Sequence, residues 1–124
     1  PAPSYVIYQT RSPAIGKGRI LLPIANPETA TALLQIAGAI ARYHNYEIDC
    51  LQVIKVSRHS SPSETPVDTR DARKMMHRLE RLGRHQKLSV HTQIRVAQDI
   101  SEAIIETIEE RHIKILVMGW KGST

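Results

Sequence analysis

The sequence has no phenylalanine, one tryptophan and a single cysteine, Cys50. A lone cysteine excludes an internal disulfide framework and any metal site built from several cysteines. Because aromatic residues make up only 4% of the chain, the core has to be aliphatic, built from isoleucine, leucine, valine and alanine. No apolar run approaches the ~18 residues that span a bilayer. The chain starts with Pro1 rather than methionine, so we expect it to be a segment of a longer protein.

The overall composition is that of one globular domain. The chain has 124 residues, of which 41% are hydrophobic and 23% are charged, within the range of ordinary single domains. Its net charge is +5, and a mildly basic balance concerns the partners of a protein rather than its fold.

Four strand-like apolar runs alternate with three helix-like amphipathic stretches. The predicted strands are 19–25, 46–56, 88–96 and 113–118, and the predicted helices are 27–43, 68–86 and 100–111. The order β-α-β-α-β-α-β predicts an α/β, three-layer, Rossmann-like domain with a mainly parallel sheet and helices on both faces. In such sheets ligands bind beyond the carboxyl ends of the strands.

The first 18 residues precede this pattern and are interpreted as a linker or an added edge strand, with the domain itself at 19–124. Within them, residues 5–9 (YVIYQ) have the composition of a strand. The predicted strand 113–118 would have an unpaired edge, and exposed strand edges tend to be covered. We therefore expect residues 5–9 or a neighbouring chain to pair with that edge.

Three sequence features resemble the universal stress protein family. They are the run LLPIANPE, which contains Pro23, the strand LQVIKV, and the stretch MGWKGS that starts at Met118. The resemblance covers 19–124. It implies an adenine-nucleotide alpha hydrolase-like fold, whose last helix and fifth strand are not seen in this sequence.

The resemblance also implies a set of nucleotide contacts. The G-x-x-G of Gly119 and Gly122 matches the start of the family's nucleotide loop, and the second half of that loop would lie beyond Thr124. The acidic residue that ATP-binding members carry after the first strand falls on Ala25. The implied contacts are Ala25, Asn26, Val53, Met118, Gly119, Lys121, Gly122 and Ser123. ATP is the candidate ligand, although the sequence demands no cofactor.

The residues of these motifs are most similar to those of universal stress domains appended to bacterial membrane transporters, such as amino-acid permeases and cation/proton antiporters. This similarity implies a non-catalytic regulatory domain at the cytoplasmic face, attached to the transporter domain of the same chain. It would act as a homodimer and by sensing a small ligand. The alternative is an ATP-binding universal stress protein. No Ser/His/Asp or Cys/His arrangement stands out, so we do not expect an enzyme.

The second predicted helix is strongly basic. Residues 68–88 contain seven basic and three acidic residues, so that their net charge of +4 makes up most of the +5 of the chain. This charge favours a further alternative, a module that binds a polyanion or anionic lipids. Nucleic acid is not expected as a partner, because the basic residues are not interleaved with aromatic ones and form no known motif. The six histidines share no ligand spacing, so no metal site is expected.

Overall fold

The computed structural model describes residues 2–119, which form five strands and three helices. The strands are β1 (Tyr5–Thr10), β2 (Arg19–Pro23), β3 (Glu47–Lys55), β4 (Val90–Ala97) and β5 (Ile115–Leu116). The helices are α1 (Pro27–His44), α2 (Arg70–His85) and α3 (Ile100–Arg111). In this part of the chain, no helix combines the length and the apolar character needed to cross a membrane.

Local hydrogen bonds explain where α1 and α3 begin. The side chain of Asn26 accepts the backbone N–H of Glu28 at 2.9 Å, and the side chain of Asp99 accepts that of Glu102 at 2.9 Å. Such caps satisfy N–H groups that the first turn of a helix leaves unpaired. α1 and α3 therefore begin at residues 27 and 100, as the sequence predicts. α1 ends at His44, one residue after the predicted end, and its C-cap Asn45 adopts a left-handed conformation with φ 58°.

The strands form one sheet in the order β1-β4-β3-β2-β5. The strands β4, β3, β2 and β5 are parallel to one another, whereas β1 runs antiparallel to β4. Cys50 on β3 lies between Leu22 on β2 and Thr92 on β4, which fixes the register. The predicted α/β fold with a mainly parallel sheet is therefore confirmed.

Helices cover both faces of this sheet. On one face, α1 and α2 pack against the larger apolar cluster. On the other, α3 packs against a smaller cluster around Leu21, Leu51 and Ile104. The larger cluster includes Ile20, Leu22, Leu34, Ile48, Met76, Leu79 and Ile94. The core is thus aliphatic, as the lack of phenylalanine requires.

The prediction that residues 5–9 pair with the edge of the last strand is wrong. β1 lies at the opposite edge of the sheet, where it pairs with β4. Every residue of β4 is buried, and β1 supplies polar partners to that strand, such as the Thr10 hydroxyl at 2.6 Å from that of Thr92. β5 is also shorter than the predicted 113–118. Among the described residues, it pairs with β2 alone, and only Ile115 and Leu116 take part in this pairing.

Candidate functional site

The carboxyl ends of the parallel strands meet at one edge of the sheet, which we call the carboxyl edge. Main-chain hydrogen bonds keep the strands in register up to this edge. The N–H of Ile24 donates to the carbonyl of Leu51 at 2.8 Å, and the N–H of Val117 donates to that of Leu21 at 2.9 Å. The loops that follow β2, β3, β4 and β5 therefore open on the same side, as the sequence pattern predicts.

Ala25 and Asn26 connect β2 to α1, and both are exposed. The side-chain oxygen of Asn26 is occupied by the N–H of Glu28, and its carbonyl accepts the N–H of Thr29 at 3.2 Å. Ala25 presents only a methyl group at the position where the resemblance implies a carboxylate. This part of the edge offers main-chain groups and the start of α1, but no acidic side chain.

Met118 and Gly119 follow β5 and extend over α1. A Cβ atom added to Gly119 would lie 3.0 Å from the Cδ1 atom of Leu33. Gly119 does not adopt a positive φ, so glycine matters here because it permits close approach and not because it permits an unusual conformation. Gly119 and Asn26 thus both lie along the first half of α1.

Val53 lies on a different side of the edge. It is half-buried and packs against the cluster of Leu21, Leu51 and Ile104 beneath α3. The structure therefore separates the Val53 side chain from the loop of Gly119, which contacts α1 on the other face. The remaining predicted contacts, Lys121, Gly122 and Ser123, lie outside the described residues.

A cavity of about 420 Å³ opens at the carboxyl edge beside β3 and β4. Arg58, Gln98, Asp99 and Glu102 line it, and none of them was among the predicted ligand contacts. The amide of Gln98 donates to the carbonyl of Ser60 at 2.9 Å, which ties the two loops of the cavity together. Charges of both signs suit a polar ligand. Their sequence signal was limited to their place in the loops after predicted strands.

The end of β2 offers few side-chain partners to an adenine nucleotide. The donor set at the end of β2 lacks an acid at Ala25, and the side chain of Asn26 is already used as a cap. Cys50 offers no nucleophile either, since it is fully buried in β3 and burial raises the pKa of its thiol. In residues 2–119, no three histidine, cysteine or acidic side chains converge as a metal site.

The chain is similar in sequence to known proteins. The sequence model of the universal stress protein family matches residues 17–124. The chain is also 27% identical over 107 residues to the Na(+)/H(+) antiporter NhaS5 of Synechocystis sp. (strain ATCC 27184 / PCC 6803 / Kazusa). That match covers 85% of this chain and 15% of the antiporter, so the chain spans about one seventh of the length of this relative.

Solved structures of similar fold lead to the same group of proteins. The universal stress protein UspA from Lactobacillus plantarum superposes with a TM-score of 0.70 at 20% identity, over 90% of this chain and 82% of that one. A universal stress protein from Archaeoglobus fulgidus gives 0.70 at 13% identity, over 86% and 79%. These likenesses concern the fold, and the sequence match extends over most of the chain. The chain therefore belongs to the universal stress protein family.

Proposed function

We propose that this chain is a non-catalytic regulatory domain of a bacterial membrane transporter, located at the cytoplasmic face of the membrane. The similarity to the antiporter supports this proposal, since the matched stretch is a small part of a much longer transporter. A domain of this kind would change transport through contacts with other protein surfaces and not through turnover of a substrate. Because this relative is a Na(+)/H(+) antiporter, it favours a cation/proton antiporter over an amino-acid permease as the transporter that carries the domain.

The free edge of β5 is the observation that carries a mechanism. Among the described residues, β5 pairs only with β2, and its other side is open. Leu116 is 42% exposed there, and Met118 beyond it is 54% exposed. An open strand edge with apolar side chains favours pairing with another chain. Self-association of two copies along β5 would couple the two transporters that carry them.

Sedimentation equilibrium of the chain with a Leu116→Lys variant tests this mechanism. A lysine on an edge strand opposes strand pairing. We therefore expect the dissociation constant of the dimer to be at least about tenfold higher for the variant than for the unchanged chain. Ile105→Lys is the matched control, because Ile105 is 55% exposed on α3 and away from β5. A chain that stays monomeric at micromolar concentrations, or two variants that behave alike, would contradict the role of β5.

Binding of ATP is the second candidate function. The close approach of Gly119 to Leu33 favours it, because the loop runs tightly over the first half of α1. Titration calorimetry with ATP on the unchanged chain and on Ala25→Asp separates the two candidates. Since Ala25 is exposed, an aspartate fits there and would supply the acid that the resemblance implies. We expect no measurable heat from the unchanged chain and binding by the variant.

Micromolar binding of ATP by the unchanged chain would instead favour a nucleotide-sensing protein. In that case Gly119→Val should abolish binding, because a larger side chain would meet Leu33. If neither the chain nor Ala25→Asp binds ATP, sensing of ATP by this chain is wrong, and regulation by self-association is favoured.

A further inference from the structure

The end of the sheet opposite the carboxyl edge carries a second surface, and we call that end the amino edge. It contains the start of each parallel strand and the end of each helix. We define the amino-edge surface by three cations and two apolar side chains, all of them at this end of the domain. They are Ile15, Lys17, Arg42, Tyr43 and Lys87.

A cavity brings most of these residues together. It has a volume of about 310 Å³, and Ile15, Arg42, Tyr46 and Lys87 are among the residues that line it. Arg42 donates to the carbonyl of Gln86 at 3.1 Å, which links the end of α1 to the segment after α2. The cavity is large enough for a phosphate group, and two of its walls are cationic.

The remaining two members lie on the rim of this cavity. The N–H of Lys17 donates to the carbonyl of Asn45 at 2.7 Å, and Asn45 lines the cavity. The ring of Tyr43 lies 5.0 Å from that of His44, which in turn lies 5.0 Å from that of Tyr46. Lys17 and Tyr43 are thus each linked to a residue that lines the cavity, Lys17 to Asn45 and Tyr43 through His44 to Tyr46.

The apolar members of this surface are more exposed than any other large apolar side chain in residues 2–119. Ile15 is 89% exposed and Tyr43 is 86% exposed. Neither of them packs against the apolar clusters of the core. An aliphatic and an aromatic side chain that project between cations are typical of proteins that insert shallowly into a lipid headgroup layer.

The charges of this surface are available for a partner. Among the described residues, Lys17, Arg42 and Lys87 take part in no ion pair. Among the described residues, those that line the cavity include no acidic side chain, and Glu47, which accepts the N–H of Gly16 in the cavity wall, is buried and bound to Arg19 and His91. Preference of cations for the C-terminal turn of a helix accounts for Arg42. The same preference applies to Lys87, which follows the C-cap of α2 and donates its N–H to the carbonyl of Arg84 at 3.1 Å, but not to Lys17, which lies in the segment before β2.

We propose that the amino-edge surface docks on a membrane that contains anionic phospholipids. Lys17, Arg42 and Lys87 contact the lipid phosphates, with one phosphate in the cavity, while Ile15 and Tyr43 enter the headgroup layer. The proposal rests on the proposed function in one respect only, which is that attachment to a transporter keeps the domain near a membrane. A nucleic acid would match the charge but leave Ile15 without an apolar environment.

Vesicle sedimentation tests the proposal with the unchanged chain and three double variants. The probes are phosphatidylcholine vesicles with and without phosphatidylserine. We expect binding only to the vesicles that contain phosphatidylserine. Lys17→Gln/Lys87→Gln should weaken it about 25-fold, since each cation near an anionic surface contributes about fivefold. Ile15→Ser/Tyr43→Ser should weaken it about tenfold without a change in charge, through lost apolar contact.

The control removes the same charge far from the surface. Lys55 and Lys74 are exposed, and Lys55 ends β3 at the carboxyl edge. Lys74 lies 13 residues before Lys87, which corresponds to about 20 Å along a helix and exceeds the screening length of about 10 Å at 0.1 M salt. Lys55→Gln/Lys74→Gln should therefore bind almost as the unchanged chain does.

Several results would overturn the proposal. Equal binding to the two kinds of vesicle would exclude recognition of anionic lipid, and equal weakening by the control variant would exclude an oriented surface. Failure to bind vesicles, together with retardation of duplex DNA that depends on Lys17 and Lys87, would identify a nucleic acid as the partner. Leu116→Lys separates this proposal from self-association, because its vesicle binding should be retained even where dimers are lost.

Discussion

The two edges of the sheet are held together in different ways. At the carboxyl edge, the polar side chains that fix the loops mostly bond close neighbours, as Asn26 does with Glu28 and Asp99 with Glu102. At the amino edge, Glu47 joins distant parts of the chain. Its carboxylate accepts the N–H of Gly16 at 2.8 Å and lies 2.6 Å from Nε2 of His91, and its third partner is Arg19 at 3.3 Å.

The loops of the carboxyl edge are thus fixed mainly by bonds between near neighbours, whereas the amino edge is fixed by bonds between distant segments. At the carboxyl edge, local caps fix the starts of α1 and α3, and the bond from Gln98 to Ser60 joins two of the loops without involving the strands. The network around Glu47 connects β3 and β4 to the segment before β2, so a change there affects the whole edge. The N–H of Ser12 donates to Nδ1 of His91 at 2.9 Å, which places the ring hydrogen on Nε2, facing Glu47, in the neutral ring.

The largest expected effect comes from Glu47→Ala. The substitution leaves the buried N–H groups of Gly16 and His91 without an acceptor, and loss of one member of a buried polar pair costs about 3 kcal/mol. Urea denaturation of the variant and the unchanged chain measures the free energy of unfolding. Glu102→Ala is the matched control at the carboxyl edge, where the exposed carboxylate should contribute less than about 0.5 kcal/mol. Equal losses in both variants would remove the contrast between the edges.

The dependence on pH sharpens the same comparison. Burial raises the pKa of Glu47, but the hydrogen bonds from Gly16, His91 and Arg19 outweigh burial and hold this pKa below the ordinary value of a glutamate. A folded-state pKa below the unfolded one stabilises the protein above the unfolded value, and this stability is lost as the pH falls through the folded value. The difference in unfolding free energy between the unchanged chain and Glu47→Gln should therefore narrow as the pH falls below the ordinary pKa of a glutamate, about 4.3. A constant difference would contradict the assignment.

The contrast also explains which parts of the fold could be predicted from the sequence. Helix starts at Asn26 and Asp99 depend on residues two or three positions away, so a local pattern was sufficient. The position of β1 depends on contacts such as that between the hydroxyl of Thr10 and that of Thr92, 82 residues later. No local pattern encodes which of two sheet edges a strand will choose.

The same reasoning applies to the candidate site. The rule that ligands bind beyond the carboxyl ends of parallel strands pointed to the loops after the strands, whereas Ala25 and Gly119 were singled out only by the family resemblance and stay predictions. The cavity of Arg58, Gln98 and Asp99 depends on how the loop after β3 folds, which includes the hydrogen bond from Gln98 to Ser60. That bond spans 38 residues, and the sequence carries no pattern that pairs its two ends.

The next prediction concerns a glycine at each edge. A Cβ atom on Gly83, near the end of α2, would lie 2.5 Å from Cγ2 of Val90. Because a β-branched side chain is stiff, we expect Gly83→Ala to lower the free energy of unfolding by about 2 kcal/mol. At the carboxyl edge, Gly119→Ala meets only the flexible tip of Leu33, at 3.0 Å, and should cost less than about 0.5 kcal/mol.

Thermal and urea unfolding of both glycine variants would measure this difference. The better helix propensity of alanine works in favour of Gly83→Ala by up to about 1 kcal/mol, so the predicted cost is net of that gain. A variant as stable as the unchanged chain would show that α2 and β4 can move apart at little cost, and that the amino edge is softer than its hydrogen bonds indicate.

The smallest expected effect tests the caps of the carboxyl edge. Asn26→Ala removes the bond to the N–H of Glu28 and should destabilise the protein by about 1 kcal/mol. Thr69→Ala is the matched control, because Thr69 caps no backbone N–H of α2. It loses only the bond that its hydroxyl accepts from Nε of Arg73 at 2.9 Å and should cost clearly less. Amide hydrogen exchange should then show faster exchange in the first turn of α1 alone, since the cap acts locally. Exchange that increases throughout the sheet would mean that the carboxyl edge is as cooperative as the amino edge, and that its loops cannot respond to a ligand independently.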